Sequence, residues 1–381
     1  MRILLASSNS GSRGGGELFL LSLASALSAS GHEVVLWASQ HPRMDELCAR
    51  FRKFGTVKRS LYANTYDRRF RVMSALLDSA VSRRVATEWC SLAPEVIHLN
   101  KQNLEDGLDL VDALARTRLP AVCTIHVTQS AAYLKAKFAR LRDLVARWTL
   151  RKINARLVAV GKSRAEDLAH FLKRPIDQIT CIPNGVPIPS LEQLLRNRAE
   201  YRNRLDAKPD EVVFLAVGRM VSQKRPLLFL QVAQMILRNM ANARFCWLGD
   251  GPLKPEWDRT VQPLGLAEKM SAPGWVADPG PFYAASDVFL HLAAFEGLPL
   301  AVLEAMAAGL PCCLTPNLIA EFGDSQGLVS VDWENSGWLE ELQKPVRRRY
   351  LGDLVRKSAI ELFSVERMAS DYLDLYREAQ S

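Results

Sequence analysis

The feature that most constrains the fold is a strand–helix rhythm that runs through the chain twice. Short apolar runs at 2–7, 33–38, 95–99, 121–125, 156–160 and 179–182 alternate with segments of helical periodicity at 16–28, 104–116, about 131 to 150 and 164–172. Such runs suit strands covered on both faces, paired in parallel through helical crossovers. Pro187, Pro189 and the charged stretch 192–209, helical in its middle, break the rhythm. It resumes with strands at 212–217, 244–248, 288–292, 311–314 and 328–331, and helices at 226–238, 281–285, 300–308, 338–343, 351–362 and 365–377. The prediction is an α/β protein of two tandem Rossmann-like doubly wound domains, 1–186 and 187–364, followed by a helix in 365–381. Their sheets' C-terminal edges are expected to face a central cleft, where ligands of such sheets bind.

A chain of 381 residues is long enough for two such cores. Its charge of +8 points to anionic partners without naming them. The apolar start at 1–6 is too short for a signal peptide, and no 18-residue apolar run follows, which predicts a cytoplasmic protein. Seven cysteines without a CxxC pair read as reduced core residues.

The run FEGLPLAVLEAMAAG at 295–309 carries the strongest chemical signal. Pro299 marks a first helical turn, so Glu296 precedes the helix and Glu304 lies about one turn inside it. Both carboxylates can then face a ligand site beside helix-start amides that attract a diphosphate. Arg219 and Lys224 follow the strand at 212–217, where a guanidinium and an ammonium can neutralise two phosphates. The turn Gly249-Asp250-Gly251-Pro252 is read as structural, with ligand lining as the lesser alternative. After the first strand, Gly11, Gly14, Gly15 and Gly16 form a glycine loop that matches neither the dinucleotide nor the Walker pattern. It suits close approach to a phosphate or a merely flexible turn.

His126 follows an apolar strand at the expected ligand edge. It suits a hydrogen bond to a substrate hydroxyl, proton transfer or a structural role. His32, His98 and His291 read as structural. No His, Asp and Cys spacing suggests a metal site. Two basic stretches stand out: ten Arg or Lys against three acids over 50–88, and eight against Asp143 alone over 130–156. In the second, Leu134, Phe138, Leu141, Val145 and Trp148 recur at helical spacing. That stripe is either an interfacial helix drawn to anionic lipid or a helix packed on its sheet with a basic face in water. Nucleic acid is not indicated, because no stacking platform accompanies the charge.

With Arg219, Lys224, Glu296 and Glu304 in this order, the chain resembles the retaining glycosyltransferases of family 4, which have the GT-B fold. The resemblance implies an acceptor-side first domain, a second domain for the nucleoside diphosphate sugar, and a last helix that crosses back to the first. It implies that Glu304 holds the donor ribose, and that Glu296 with the Gly297, Leu298 and Leu300 backbone holds the transferred sugar. Arg219 and Lys224 would hold the diphosphate, and Trp275 with Val276 would cradle the base. Gly15 and Gly16 match the family's first-domain glycine loop, and His126 its active-site histidine. The implied catalytic set is Glu296, His126, Arg219 and Lys224, without a protein-bound cofactor or required metal. Val127 stands where an acidic residue is often seen, Pro187 replaces the usual acid after Asn184-Gly185-Val186, and 315–324 lacks the familiar paired glycines before Glu321. These departures bear on acceptor choice and sugar identity.

The expected reaction is transfer of a hexosyl group, with retention, to a saccharide, lipid-linked or small-molecule hydroxyl. Peripheral association with the inner face of the cytoplasmic membrane accompanies that expectation. The competing readings are a sugar-nucleotide epimerase or phosphorylase and a noncatalytic sugar-nucleotide-binding protein.

Overall fold

The computed structural model describes residues 1–8, 11, 13–68 and 79–381. Among the described residues, thirteen strands form two fully parallel sheets. The first contains β1 (Arg2–Ser7), β2 (Glu33–Ser39), β3 (Thr56–Ser60), β4 (Val96–Asn103), β5 (Ala121–Val127), β6 (Arg156–Ala159) and β7 (Ile179–Cys181), in the order β3-β2-β1-β4-β5-β6-β7. The second contains β8 (Val212–Val217), β9 (Ala243–Leu248), β10 (Met270–Gly274), β11 (Val288–His291), β12 (Cys312–Leu314) and β13 (Leu328–Ser330), in the order β10-β9-β8-β11-β12-β13. Each sheet is the centre of one compact unit: Met1–Gly185 with Val365–Ser381, and Val186–Ser364.

The period of two along each strand explains why both faces of the first sheet are covered. Leu4, Ala6, Val35, Trp37, Ile97 and Leu99 enter one core, while Ile3, Leu5, Val34, Leu36 and Val96 enter another. The C-terminal helix Val365–Gln380 supplies Met368, Tyr372 and Tyr376 to the second of these. Its phenols find partners in the sheet: Tyr376 Oη lies 2.6 Å from His98 Nδ1, and Tyr372 Oη 2.9 Å from Thr124 Oγ1. Each bond contributes about 1 kcal/mol net, but orphaning a buried partner costs about 1–3 kcal/mol. Burial pushes His98 down to about 3, so it serves as a neutral link.

The charged segment after Pro189 is a helix, Leu191–Arg204, started by a capping box between Ser190 and Gln193. Its charges are a clamp: Arg198 and Arg202 both reach Asp287, whose carboxylate also accepts the Val213 amide at 2.9 Å.

Three local expectations need correction. Polar β3 and proline-containing β10 were not evident as strands, because edge strands need little apolar content. β4 continues to Asn103, four residues past its apolar run. The helix expected from about 131 begins only at Ala139. Lys135 and Phe138 have φ of 53° and 56°, which interrupts helical continuation, and Asp143 instead caps the Ala131 and Ala132 amides. Within that segment only Val145 of the five stripe residues is buried; Leu134, Phe138, Leu141 and Trp148 are exposed, so the stripe does not pack on the sheet. Five cysteines are buried, whereas Cys90 and Cys181 are exposed. Part of the basic stretch at 50–88, including Arg69 and Arg71, and Ser12 of the glycine loop lie outside the described residues. Among the described residues, no helix is long and apolar enough to cross a membrane.

Candidate active-site residues

In the second unit the candidate residues gather where strands end. β8 and β11 are neighbours, which brings the loop of Arg219 and Lys224 beside the segment of Glu296. Two bonds through Gln223 lock these loops together: its carbonyl accepts the Ala294 amide at 2.8 Å, and its Nε2 donates to Phe295 O at 2.9 Å. Lys224 Nζ is thereby held in an ion pair with Glu296 Oε1. His291, the last residue of β11, places Nε2 3.4 Å from the same oxygen, outside hydrogen-bonding geometry. Burial alone would raise the Glu296 pKa, but the Lys224 charge overrides it and holds the carboxyl at about 2. Burial lowers the His291 pKa. At neutral pH Glu296 is therefore a carboxylate held by Lys224, beside a neutral His291 imidazole.

Arg219 is exposed and has no side-chain hydrogen bond or ion pair with a described residue. Its loop is seated by the turn after β9. The Met220 amide donates to Asp250 O at 2.9 Å, and Trp247 Nε1 donates to Gly218 O at 2.9 Å. Gly249 has φ of 134°, and a Cβ there would lie 2.1 Å from Gly218 O. The turn is structural in this sense, since only glycine lets the two backbones meet.

Glu304 lies in the helix Leu300–Ala307, which starts after Pro299 without a side-chain cap. Gly297, Leu298 and Leu300 are buried around that start. Tyr283, from the helix Gly280–Ala285, donates to Glu304 Oε2 at 2.9 Å. Burial nevertheless pushes the Glu304 carboxyl up to about 7, against that hydrogen bond. Trp275 and Val276 follow β10, and Gly274 O accepts the Gly249 amide at 2.8 Å. Trp275 is 39% exposed, leaving an aromatic surface at the strand end.

In the first unit, His126 near the end of β5 is joined to the glycine loop by a residue that sequence reading missed. Asn100 on β4 donates through Nδ2 to Gly16 O at 3.1 Å, and its Oδ1 lies 2.7 Å from His126 Nε2. With Nδ2 committed, Oδ1 is the acceptor, so Nε2 carries the imidazole proton and Nδ1 keeps a lone pair. Burial lowers His126 to about 4 and keeps it neutral. Phe19 packs edge-on against the ring, centroids 4.8 Å apart. The helix Gly15–Ala29 begins after Gly14 without a side-chain cap, leaving its start open at Gly15. A Cβ on Gly16 would meet the amide end of the Gln102 side chain from β4, which would have to move aside.

The missed residues have identifiable signals. Asn100 and Gln102 lie past the end of the apolar run at 95–99, in the polar extension of β4, and Tyr283 lies in a predicted helix without a chemical motif. His291 read as structural, yet its ring borders Glu296. No group of three or more His, Cys, Asp or Glu among the described residues could hold a metal ion.

Two family models match the chain: Glycosyltransferase Family 4 over residues 13–188, and Glycosyl transferases group 1 over residues 211–339. Together they span about four fifths of its length. The chain is related to the family 4 glycosyltransferases. Its family relatives include the Escherichia coli UDP-Gal:alpha-D-GlcNAc-diphosphoundecaprenol alpha-1,3-galactosyltransferase, 30% identical over 58% of this chain and 56% of the relative. Another is the Acholeplasma laidlawii alpha-monoglucosyldiacylglycerol synthase, 25% identical over 60% of both chains. The matched stretch thus spans less than two thirds of either relative's length. The solved structure of Anabaena HepE in complex with UDP and glucose is similar in fold, with a TM-score of 0.77, 16% identity, and coverage of 99% of this chain and 100% of that one. The two Rossmann-like units are those of the GT-B architecture.

Proposed function

We propose that this protein is a retaining glycosyltransferase that moves a hexosyl group from a uridine diphosphate sugar to an acceptor hydroxyl in polysaccharide or lipid-linked saccharide synthesis. The observation that carries this reading is the Lys224–Glu296 pair beside the unpaired Arg219 at one sheet edge. Breaking a glycosyl–phosphate bond builds charge on the departing diphosphate, and Lys224, held by Glu296, together with the exposed Arg219 stabilises that charge. Glu296, ionised and held by Lys224, positions the hexose hydroxyls and acts electrostatically; it is too acidic to serve as the base. Glu304 accepts hydrogen bonds from the ribose, the exposed Trp275 and Val276 segment borders the base, and the Gly297, Leu298 and Leu300 backbone lines the sugar. His126 presents Nδ1 as a neutral acceptor to a hydroxyl, beside the Gly15 and Gly16 amides. The leaving phosphate, not a side chain, takes the acceptor proton.

The uridine donor is favoured by HepE, solved with UDP and glucose, and by the UDP-Gal-dependent E. coli relative. The names of these two relatives give a diphosphoundecaprenol-linked sugar and a glucosylated diacylglycerol, which favours a lipid-borne acceptor. Arg219 and Lys224 supply positive charge, so turnover is expected without added divalent metal. Saturation-transfer NMR with UDP-glucose, UDP-N-acetylglucosamine and GDP-mannose tests the donor assignment. Binding of a UDP-sugar that disappears in Glu304→Ala is expected; equal binding by wild type and variant would remove Glu304 from the site.

A further inference from the structure

We infer that a recess beyond the ends of β4 and β5 seats a single neutral sugar ring, with Glu105 and Gln129 as the residues that select it. That this ring belongs to the acceptor, so that sugar is added to a saccharide and not to a lipid hydroxyl or a phosphate, rests on the transferase reading. The binding of the ring does not.

Asn103 pairs with Val127 at the end of the two strands, so the loops that follow leave the sheet side by side, just past His126. Here lies a cavity of about 170 Å³ whose lining includes Thr65, Leu104, Glu105, Gln129, Ala131 and Leu134. That is below the roughly 300–1,000 Å³ of a pocket for a drug-sized ligand, and suits one ring.

The walls are fixed before any ligand arrives. Asn103 Oδ1 accepts the Glu105 and Asp106 amides at 2.9 and 3.1 Å. The Asp106 carboxylate, paired with Lys101, accepts the Gln102 and Asn103 amides at 3.0 and 3.1 Å. Asp143 holds the Ala131 and Ala132 amides at 2.8 and 3.1 Å. Thr65 Oγ1 accepts the Gly107 amide at 3.0 Å, and its segment is anchored where Tyr62 and Arg68 both reach Asp109 at 2.8 Å. Walls so constrained give up little freedom on binding.

Two acceptors in this frame have no donor among the described residues. Gln129 is 8% exposed, and its Oε1 is buried without a hydrogen-bond partner. Glu105 gives Oε2 to Arg142, while its Oε1 is buried and unpartnered. Buried oxygens left unpaired are uncommon and costly. The Thr65 hydroxyl, which accepts from Gly107, still has a proton to donate. Sugar hydroxyls both donate and accept, which matches this set, and the C–H face of the ring can rest on Leu104, Ala131 and Leu134. Charge and polarity exclude the other occupants. Arg142 neutralises Glu105 and Lys101 neutralises Asp106, so a cation gains little. A phosphate diester brings acceptors only and would face the Glu105 oxygen, whereas a hydrocarbon chain would leave both oxygens unpaired.

The test is saturation-transfer NMR of the intact protein, saturated with UDP, against the methyl glycosides of glucose, galactose and N-acetylglucosamine, with octyl phosphate as competitor. Binding of at least one glycoside is expected, weakened at least about tenfold in Gln129→Leu and in Glu105→Gln but unchanged in Glu296→Gln. Octyl phosphate should not displace it. UDP affinity and thermal unfolding will show which variants are folded, and either one suffices. Binding of no glycoside, or binding that both variants retain, overturns the inference. Binding lost only in Glu296→Gln also overturns it, by placing the ring in the donor's sugar site, and displacement by octyl phosphate overturns it in favour of an anionic lipid. In transfer assays at saturating donor, Gln129→Leu should raise the acceptor KM at least about tenfold with the donor KM unchanged. Transfer to a lipid hydroxyl or a phosphate that Gln129→Leu leaves unaffected overturns the inference and keeps the transferase reading. A glycoside held by Glu105 and Gln129 without transfer from any UDP-sugar leaves the inference standing and removes only that reading.

Discussion

Two sheet edges carry the candidate residues, and they are built from opposite kinds of polarity. At the end of β8 and β11 the groups are ionised, with Lys224 and Glu296 paired and Arg219 unpaired. At the ends of β1, β4 and β5 they are neutral: Gly16, Asn100 and a His126 held near pKa 4 by burial form one hydrogen-bond chain. A diphosphate needs charge, whereas a sugar or acceptor hydroxyl needs an oriented neutral acceptor. The difference teaches that burial has different consequences at the two edges. Lys224 lets Glu296 stay charged despite burial, while His126 lacks a paired carboxylate and is driven to the neutral form.

The sharpest way to break the contrast is Lys224→Met. Transfer should fall by about 10²–10³ through loss of charge stabilisation. The same change leaves Glu296 buried without its partner, so its pKa should rise and the fold should lose stability. Lys224→Met/Glu296→Gln should recover stability in thermal unfolding but not transfer. Retention of transfer within tenfold in the single variant would place the chemistry elsewhere.

On the neutral edge, His126→Ala should reduce kcat by about 10² while leaving UDP affinity nearly unchanged. Steady-state kinetics with UDP-binding calorimetry will separate these terms. A matching loss of UDP affinity would erase the distinction between a charged donor edge and a neutral hydroxyl edge.

The smallest effect concerns Glu304, which departs from its charged neighbours because burial pushes it to about 7. Ribose hydroxyls donate to its carboxylate, so donor binding favours the deprotonated form. UDP affinity should rise with pH and level off above about 7, with a loss of roughly tenfold between pH 8 and 6. The sign for stability is opposite to that of a salt-bridged acid. The folded state keeps the proton up to about 7 and the unfolded chain releases it near 4.5, so Glu304 weakens folding as pH rises between those values. Glu304→Gln should therefore bind UDP weakly at every pH, with a higher Tm than wild type at pH 8 and little difference near pH 4. A pH-independent wild-type affinity would show that Glu304 does not contact the donor in its ionised form.

Much of the architecture was legible because parallel strands covered on both faces leave unbroken apolar runs, as at 2–7 and 212–217. Edge strands β3 and β10 were not, since one open flank relaxes the demand for apolar residues. The Glu296–Glu304 spacing and the Arg219–Lys224 pair were visible as local motifs. Asn100 was not, because its significance lies in touching Gly16 and His126, far away in the chain. The amphipathic stripe at 134–148 was equally visible, but periodicity does not say which face meets the sheet.

By itself, then, the sequence determined the strand–helix alternation, the helix starts at Pro226 and Leu300, and which charged side chains stand at strand ends. These follow from local propensity and spacing, which act over a few residues. Tertiary structure alone decided that Lys224 neutralises Glu296, that Tyr283 meets Glu304, and that Leu141, Leu144 and Trp148 point outward. Pairing, desolvation and exposure depend on what packs against a side chain, and those neighbours come from elsewhere in the chain.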